Sequence, residues 1–439
     1  MAKSAARIPG PPLPQGRIHT LTRPFRKFLE VESASGIVLV ICTIVALVLA
    51  NSPAAHGFHE LWEIHFRVGV AGFTLDKPLH FWINDALMTL FFFVVGLEIK
   101  RELVAGELSS VQKAALPVVA AFGGMVAPAC VYLLLHPGGE SHRGWGIPMA
   151  TDIAFVVGLL AVFGPRVPFG LKIFLLALAI VDDIGAILVI AVAYSGSPNL
   201  IALGLAAAGF VVTYGLNRLG VRTVGVYVII GAHIWLAVLL SGVHPTIAGV
   251  LLGLLTPGNA WVGQKTLREA LAGALHRISD GKEDEADHVA MTHLAFAAKE
   301  SVSPLERLEA LLHPWVGFLI MPLFALANAG VAIQVSKITD PVAIAVACGL
   351  MAGKPIGIFL FCFASVKLGL CQLPTGVNWR MLFAAGCLGG IGFTMSLFIA
   401  GLALPPSLLD AGKVGIFAGS LISAILGSVL LLLALRKRA

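Results

Sequence analysis

The chain has 439 residues, of which 58% are hydrophobic and only 12% charged; 30 Lys and Arg against 24 Asp and Glu give a formal net charge of +6. A charged fraction about half that of soluble domains, with a mean hydropathy of +0.91, excludes a disordered chain, a nucleic-acid binder and an ordinary soluble domain. What remains is a polytopic membrane protein, whose basic excess reports cytoplasmic loops rather than a polyanionic partner.

Residues 1–30 are polar, with Pro9, Pro11, Pro12, Pro14 and six Lys and Arg, and carry no signal-cleavage pattern. They read as a retained cytoplasmic tail, and 31–439 as one membrane domain. Twelve apolar stretches follow, near 33–51, 79–99, 114–135, 147–163, 170–194, 199–216, 223–240, 243–256, 314–333, 341–366, 381–403 and 411–435. Each is long enough, or nearly so, to cross about 30 Å of hydrocarbon. Backbone groups facing lipid need internal partners, so the stretches predict helices; alternating barrel strands are absent. The fold class expected is all-α and polytopic, with 12 transmembrane helices. With the N-terminus inside, 24 of the 30 Lys and Arg fall on the cytoplasmic side, 5 outside, and Lys354 within the membrane. That asymmetry predicts both termini inside. In the external loop 52–78, His65–Leu75 has glycines where a turn belongs, and reads as a hairpin or an irregular loop. The longest internal loop, 257–313, contains a charge run, Asp280 to Asp287, that reads as a solvated linker. Cysteines 42, 130, 348, 362, 371 and 387 show no framework spacing, which implies neither disulfides nor a zinc site.

A shift of 243 residues aligns Gly146, Thr151, Phe155, Gly158 and Leu159 with Gly389, Thr394, Phe398, Gly401 and Leu402. Both windows are glycine-interrupted membrane segments in matching halves, the pointer to inverted repeats with broken helices.

Charges within the apolar stretches carry the chemistry. Asp85, Asp152, Asp182, Asp183 and Lys354 all lie there. Each costs at least about 2.5–3.5 kcal/mol at the bilayer centre, so they must face one another or a water-filled cavity. Fully ionised, the five sum to −3, which low dielectric disfavours; the site should take up protons or a cation. Asp182 and Asp183 diverge by about 100° on a helix, so one is free to meet a cation while the other pairs with a neighbour. Lys354, beside the helix-kinking Pro355, is placed to be that neighbour. Asp152 opens the fourth stretch behind Gly144, Gly146 and Pro148, where it offsets a helix N-terminus, and Lys354 offsets the opposite end. Thr151 reads as a hard-cation ligand or as a helix cap. Asp85 either lines the cavity or bonds across helices. Glu98 with Glu102, and Glu309 with His313, fall at i, i+4 near the cytoplasmic rim and read as pH-responsive groups or as interfacial charges. His233 and His244 read as satisfied core histidines.

Ala150-Thr-Asp-Ile-Ala-Phe155, Ala179-Ile-Val-Asp-Asp-Ile-Gly185, Gly353-Lys-Pro-Ile-Gly357 and Gly390-Ile-Gly-Phe-Thr-Met-Ser396 together resemble the NhaA-type sodium/proton antiporters of bacteria. So do Asn84-Asp85, Gly96-Leu-Glu-Ile-Lys-Arg-Glu102, His313-Pro-Trp315 and Ala327-Asn-Ala-Gly330. The likeness runs from about residue 30 to 403. It implies inverted repeats in which discontinuous fourth and eleventh helices cross, with Thr151 and Asp152 at the crossing. It implies Asp183 as the main sodium ligand and Asp182 as the partner of Lys354. Glu98, Glu102, Glu309 and His313 become a pH-response region, and the 65–75 hairpin a homodimer contact. The chain departs from the family in a longer 257–305 loop, in Ala310 where some members carry histidine, and in its extended tail.

The activity expected is secondary-active exchange of Na+ or Li+ for H+ by alternating access in a bacterial inner membrane, electrogenic and pH-regulated. No cofactor is needed, and the chain is a transporter rather than an enzyme. Three other readings fit less well. A sodium-coupled organic-anion symporter needs a second membrane cation. An intramembrane aspartyl protease needs carboxylates from separate helices sharing a water. A channel does not need broken helices.

Overall fold

The computed structural model describes residues 32–70, 73–136, 138–279, 285–332 and 335–436. The expected tail at 1–30 and most of the Asp280–Asp287 run lie outside the described residues.

The chain is mostly helical. α1 (Glu32–Ala50) fills the first apolar stretch and stops before Pro53; α2 (Ala55–Glu63) leaves it at 115°. Phe58 and Trp62, one turn apart, are the buried face of α2. A two-stranded antiparallel sheet follows, β1 (His65–Val70) and β2 (Phe73–Pro78), with Arg67 opposite Asp76. Of the two readings of this loop, the hairpin is the one found. It extends to Pro78 because Arg67 Nε donates to Asp76 Oδ2 at 2.6 Å and His65 Nδ1 lies 2.7 Å from Oδ1.

α3 (Leu79–Ala105) opens with a π-helical turn at Trp82–Leu87, and α4 (Val111–Leu135) contains Pro117 and Pro128. The fourth apolar stretch is not one α-helix. A 3-10 segment, Glu140–Met149, gives way to extended backbone at Ala150 and Asp152 before α5 (Ile153–Phe163) begins. Then come α6 (Phe169–Ala193), α7 (Leu200–Arg218), and the shorter α8 (Val224–Leu240) and α9 (Thr246–Leu255). The seventh and eighth stretches, nearly fused in sequence, are parted at Gly242, whose φ of 80° suits glycine. The long loop forms a helical hairpin, α10 (Gln264–Ser279) and α11 (Glu285–Glu300). α12 (Pro304–Asn328) starts at a capping box in which Ser303 and Glu306 satisfy each other's backbone N–H groups.

α13 (Pro341–Lys367) is continuous. A π-helical turn at Gly349–Gly353 stands directly before Lys354 and Pro355, where the proline removes one N–H from the helix. α14 (Trp379–Gly389) and α15 (Phe393–Ala403) are two halves bent by 46° about Gly390–Gly392, and α16 (Pro406–Arg436) ends the fold. Among the described residues, eight helices are long and apolar enough to cross a membrane, or up to ten if each of the two bent pairs is one span. The most enclosed element is α15, buried from Phe393 through Ala400. Its helix ends, with those around Asp152, sit in the interior, where each needs a partner.

Candidate functional site

Four helix ends meet at the two breaks. Asp152 caps α5, accepting Phe155 N–H on Oδ1 at 3.1 Å. Its other oxygen, Oδ2, accepts the backbone N–H of Thr394 at 3.1 Å and also the Thr394 hydroxyl. One carboxylate thus faces the positive ends of both α5 and α15. The breaks are joined directly as well, since Asp152 N–H donates to Ile391 O at 2.7 Å. The opposite helix ends are carbonyls, and they receive donors. Lys354 Nζ donates to Met149 O, the last carbonyl of the 3-10 segment. Thr151 Oγ1 lies 2.9 Å from Gly389 O, the last residue of α14.

α6 brings its two aspartates to this junction. Lys354, 0% exposed, lies 2.8 Å from Asp182 Oδ2, and Thr151 Oγ1 lies 2.6 Å from the same oxygen. Thr151 therefore has one hydroxyl proton for two acceptors, Asp182 and Gly389 O. On α4, Gly124 lets Ile358 of the lysine's own helix pack close, since a Cβ there would stand 2.9 Å from Ile358 Cγ1, while Lys354 Cε at 3.7 Å would be an ordinary contact. Both aspartates bury an Oδ1 without a hydrogen-bond partner, but Asp182 has Lys354 and Thr151 on its other oxygen. Asp183 is 2% exposed, and its Oδ1 is enclosed with no hydrogen-bond partner. The charges of Asp182, Asp152, Glu98 and Lys354 all act on it. A buried carboxylate without a donor is unfavourable as an anion, so it demands a proton or a cation.

The junction unites Thr151, Asp152, Asp182, Asp183 and Lys354, and leaves the other predicted residues elsewhere. Asp85 lies away from the junction, its Oδ1 3.6 Å from His244 Nε2, close to that ring but beyond hydrogen-bond distance. His244 is enclosed, with Nδ1 2.7 Å from Thr246 Oγ1 and its ring edge-on to Phe398. His233 is a correction: it is exposed on α8, bonded only to the Ile229 carbonyl of its own helix. Glu98 is half-buried on α3, one turn before Glu102, which pairs with Arg101 at 3.6 Å. Glu309 turns to Arg101 of α3, whereas His313 is exposed, so their i, i+4 spacing does not pair them.

Sequence reasoning missed several partners. Thr394, the second group bound to Asp152, was visible only as the partner of Thr151 at an offset of 243. Asn84 and Asn328 exchange amide bonds at 2.7 and 3.2 Å, with His80 against the same Asn328 oxygen at 3.2 Å. Lys413, near the start of the last apolar stretch, is buried in α16 three residues from Asp410.

The chain matches the family described as Na+/H+ antiporter 1 over residues 26–431. It is 50% identical over 438 residues to the Na(+)/H(+) antiporter NhaA 2 of Sorangium cellulosum, covering 98% of this chain and 94% of that protein. It is 49% identical over 428 residues to the Na(+)/H(+) antiporter NhaA of Rhodopirellula baltica, covering 97% of each. The NhaA of Rhizobium meliloti is 48% identical over 423 residues, 96% of this chain and 97% of its own length. With the family matched across both breaks and the buried aspartates between them, the chain belongs to the Na+/H+ antiporter 1 family.

Proposed function

We propose that the protein exchanges Na+ for H+ across a bacterial inner membrane. The observation that carries this reading is Asp183: an enclosed carboxylate whose Oδ1 has no donor, beside a neighbour already committed to a lysine. Such a group is satisfied equally well by a proton or by a small cation, and competition between the two for one site is exchange. The names of the relatives, Na(+)/H(+) antiporters at 48–50% identity over nearly the whole chain, point the same way.

Asp183 is the main sodium ligand, with Asp182 and Thr151 as further oxygen donors. Lys354 holds Asp182 when no cation is bound. Sodium entering from the cytoplasm displaces protons from the aspartates; after the two repeats rock, external protons displace the sodium. More protons than sodium ions per cycle makes transport electrogenic. Li+ shares the site because it is a hard monovalent cation. Twelve helices cross the membrane, with the fourth and eleventh broken and crossing at Asp152, and both termini cytoplasmic. Glu98 links Asp183 to Glu102, Glu309 and His313, through which cytoplasmic pH regulates exchange. The hairpin mediates a homodimer through Phe66 and Val68, which are exposed on one face of β1.

The test is Na+-driven dissipation of an imposed pH gradient in everted vesicles from pH 6.5 to 8.5. Collapse of the gradient in the wild type but not in Asp183→Asn supports the reading. No response in the wild type at any pH, or full activity in Asp183→Asn, refutes it.

A further inference from the structure

α13 and α14 are joined by a knot of four aromatic rings that the exchange site does not use. Phe359 and Phe363, one turn apart on α13, stack with centroids 6.1 Å apart. Trp379, the first residue of α14, meets Phe359 and Phe363 edge-on at 5.8 and 5.3 Å. Phe383, one turn further along α14, meets Phe359 at 5.6 Å. The knot is not sunk in the core: Phe363 is 42% exposed and the other three rings are half-buried.

An exposed stripe runs past the knot. Ile356, Leu360, Phe363 and Lys367 fall at i, i+4, i+7 and i+11, on one side of α13, and all four are exposed. At 1.5 Å per residue the stripe is about 16 Å long, close to half of a hydrocarbon core of about 30 Å. It is apolar until it ends on Lys367, the last residue of α13. Lys367 Nζ stands 6.0 Å from the Phe363 ring centroid, at the outer limit of a cation–π contact. Among the described residues, neither Lys367 Nζ nor Trp379 Nε1 has a hydrogen bond or an ion pair. Arg380, exposed beside Trp379, adds a second positive charge. No Asp or Glu occurs from Pro341 to Leu409, and α4, packed on α13, carries none.

Scattered Trp and Lys at a membrane surface are ordinary anchors. Here they converge on one groove, a free ammonium and a free indole N–H at the head of an apolar stripe as long as one leaflet is deep. That is the donor set for a phosphate with an acyl chain beneath it. The groove offers cations and no carboxylate, so nothing in it meets the ammonium of a choline or ethanolamine headgroup. We propose that α13 and α14 seat one anionic phospholipid, its phosphate held by Lys367 and the Trp379 N–H and one acyl chain lying along Phe363, Leu360 and Ile356. The lipid clamps the two helices that bring Lys354 and the Gly389 carbonyl to the buried junction.

The experiment titrates the full chain, purified in a mild detergent, with dioleoylphosphatidylglycerol, with dioleoylphosphatidylcholine and with inorganic phosphate. Bound lipid is counted by native mass spectrometry, and the unfolding midpoint, which rises as a native-state site fills, is followed in parallel. The wild type is expected to hold one phosphatidylglycerol that phosphatidylcholine does not replace. Lys367→Gln should need about fivefold more phosphatidylglycerol to hold that molecule; one lysine at an anionic surface is worth about 1 kcal/mol, at about 1.4 kcal/mol per tenfold. Trp379→Phe keeps a ring in the knot and deletes only the N–H, and should weaken the same molecule about twofold or more. Lys77→Gln, exposed on β2, keeps the wild-type count. Equal counts in the wild type and Lys367→Gln at every concentration overturn the proposal, as does an unmoved Trp379→Phe. So does phosphatidylcholine bound as tightly as phosphatidylglycerol, or the same loss in Lys77→Gln, because the residues are then an ordinary interfacial belt. A midpoint raised as far by inorganic phosphate alone also overturns it, since the groove then takes phosphate without a chain.

Discussion

Lys354→Met tests the electrostatics of the buried junction. The methionine side chain follows most of the lysine stem, so contacts with α4 are largely kept while the ammonium is lost. Asp182 Oδ2 then loses the partner at 2.8 Å and keeps Thr151 Oγ1 at 2.6 Å, while its Oδ1 has no hydrogen bond to begin with. Met149 O loses its donor too. Removing one member of a buried ion pair costs about 3–5 kcal/mol, which is roughly 100-fold or more in the unfolding equilibrium at about 1.4 kcal/mol per tenfold. The double variant Lys354→Met/Asp182→Asn deletes both charges and should recover most of that loss, a strong non-additivity expected of contacting residues. The assay is thermal unfolding in detergent, read with a thiol-reactive dye on the buried cysteines, which are all free. A single variant as stable as the wild type, or a double variant less stable than the single, refutes the account of the pair.

Asp183→Asn should raise the unfolding midpoint above the wild type, because the amide replaces an enclosed carboxylate that lacks a donor; a lower midpoint contradicts this. Thr394→Val, equal in size, removes a hydroxyl donor to Asp152 and should destabilise by about 1.5–3 kcal/mol, whereas a neutral result in the same assay denies that Asp152 ties the two breaks. Gly253→Ala sets a methyl 2.5 Å from Phe93 O and 2.9 Å from Gly96 Cα between α9 and α3, an overpacking that costs about 1–3 kcal/mol; Gly57→Ala, with nothing within 4 Å, is the neutral control. At the hairpin, the His65 hydrogen bond foremost, and then Arg67, hold the Asp76 carboxyl below its usual 3.8. Its contribution is therefore present above that value and lost as pH falls through the lower folded-state value. Hydrogen-exchange protection of β1 and β2 should be level from pH 5 to 8, and a loss of protection near pH 6 assigns the hairpin's stability to other groups.

The sequence was most legible where burial makes charge expensive. Aspartates and a lysine inside apolar stretches have few tolerable arrangements, which is why Lys354 beside one of Asp182 and Asp183, and Asp152 at a helix N-terminus, follow from the residues alone, while the choice of Asp182 came with the family resemblance. Glycines flanking Asp152 and Ile391 likewise announce broken helices, since lipid-facing backbone is left unpaired only where a protein partner waits. The details decided by long-range register were not legible. Nothing local to Thr394 says that it binds a carboxylate 242 residues away. Nothing in Gly349–Gly353 says that this stretch of α13 will wind as a π-helical turn. Lys413, two residues into the last apolar stretch, drew no attention as a membrane charge, yet it is buried in the fold. Glu300 and its partners Arg222 and Arg307 look like ordinary loop charges until three segments converge on them.

The central claim is that one enclosed carboxylate serves Na+ and H+ in turn. It is tested most directly by adding Na+ to purified, weakly buffered protein and recording proton release. The account predicts release from the wild type, saturating with Na+ and absent in Asp183→Asn. Undiminished release from Asp183→Asn, or none from the wild type between pH 6.5 and 8.5, contradicts it.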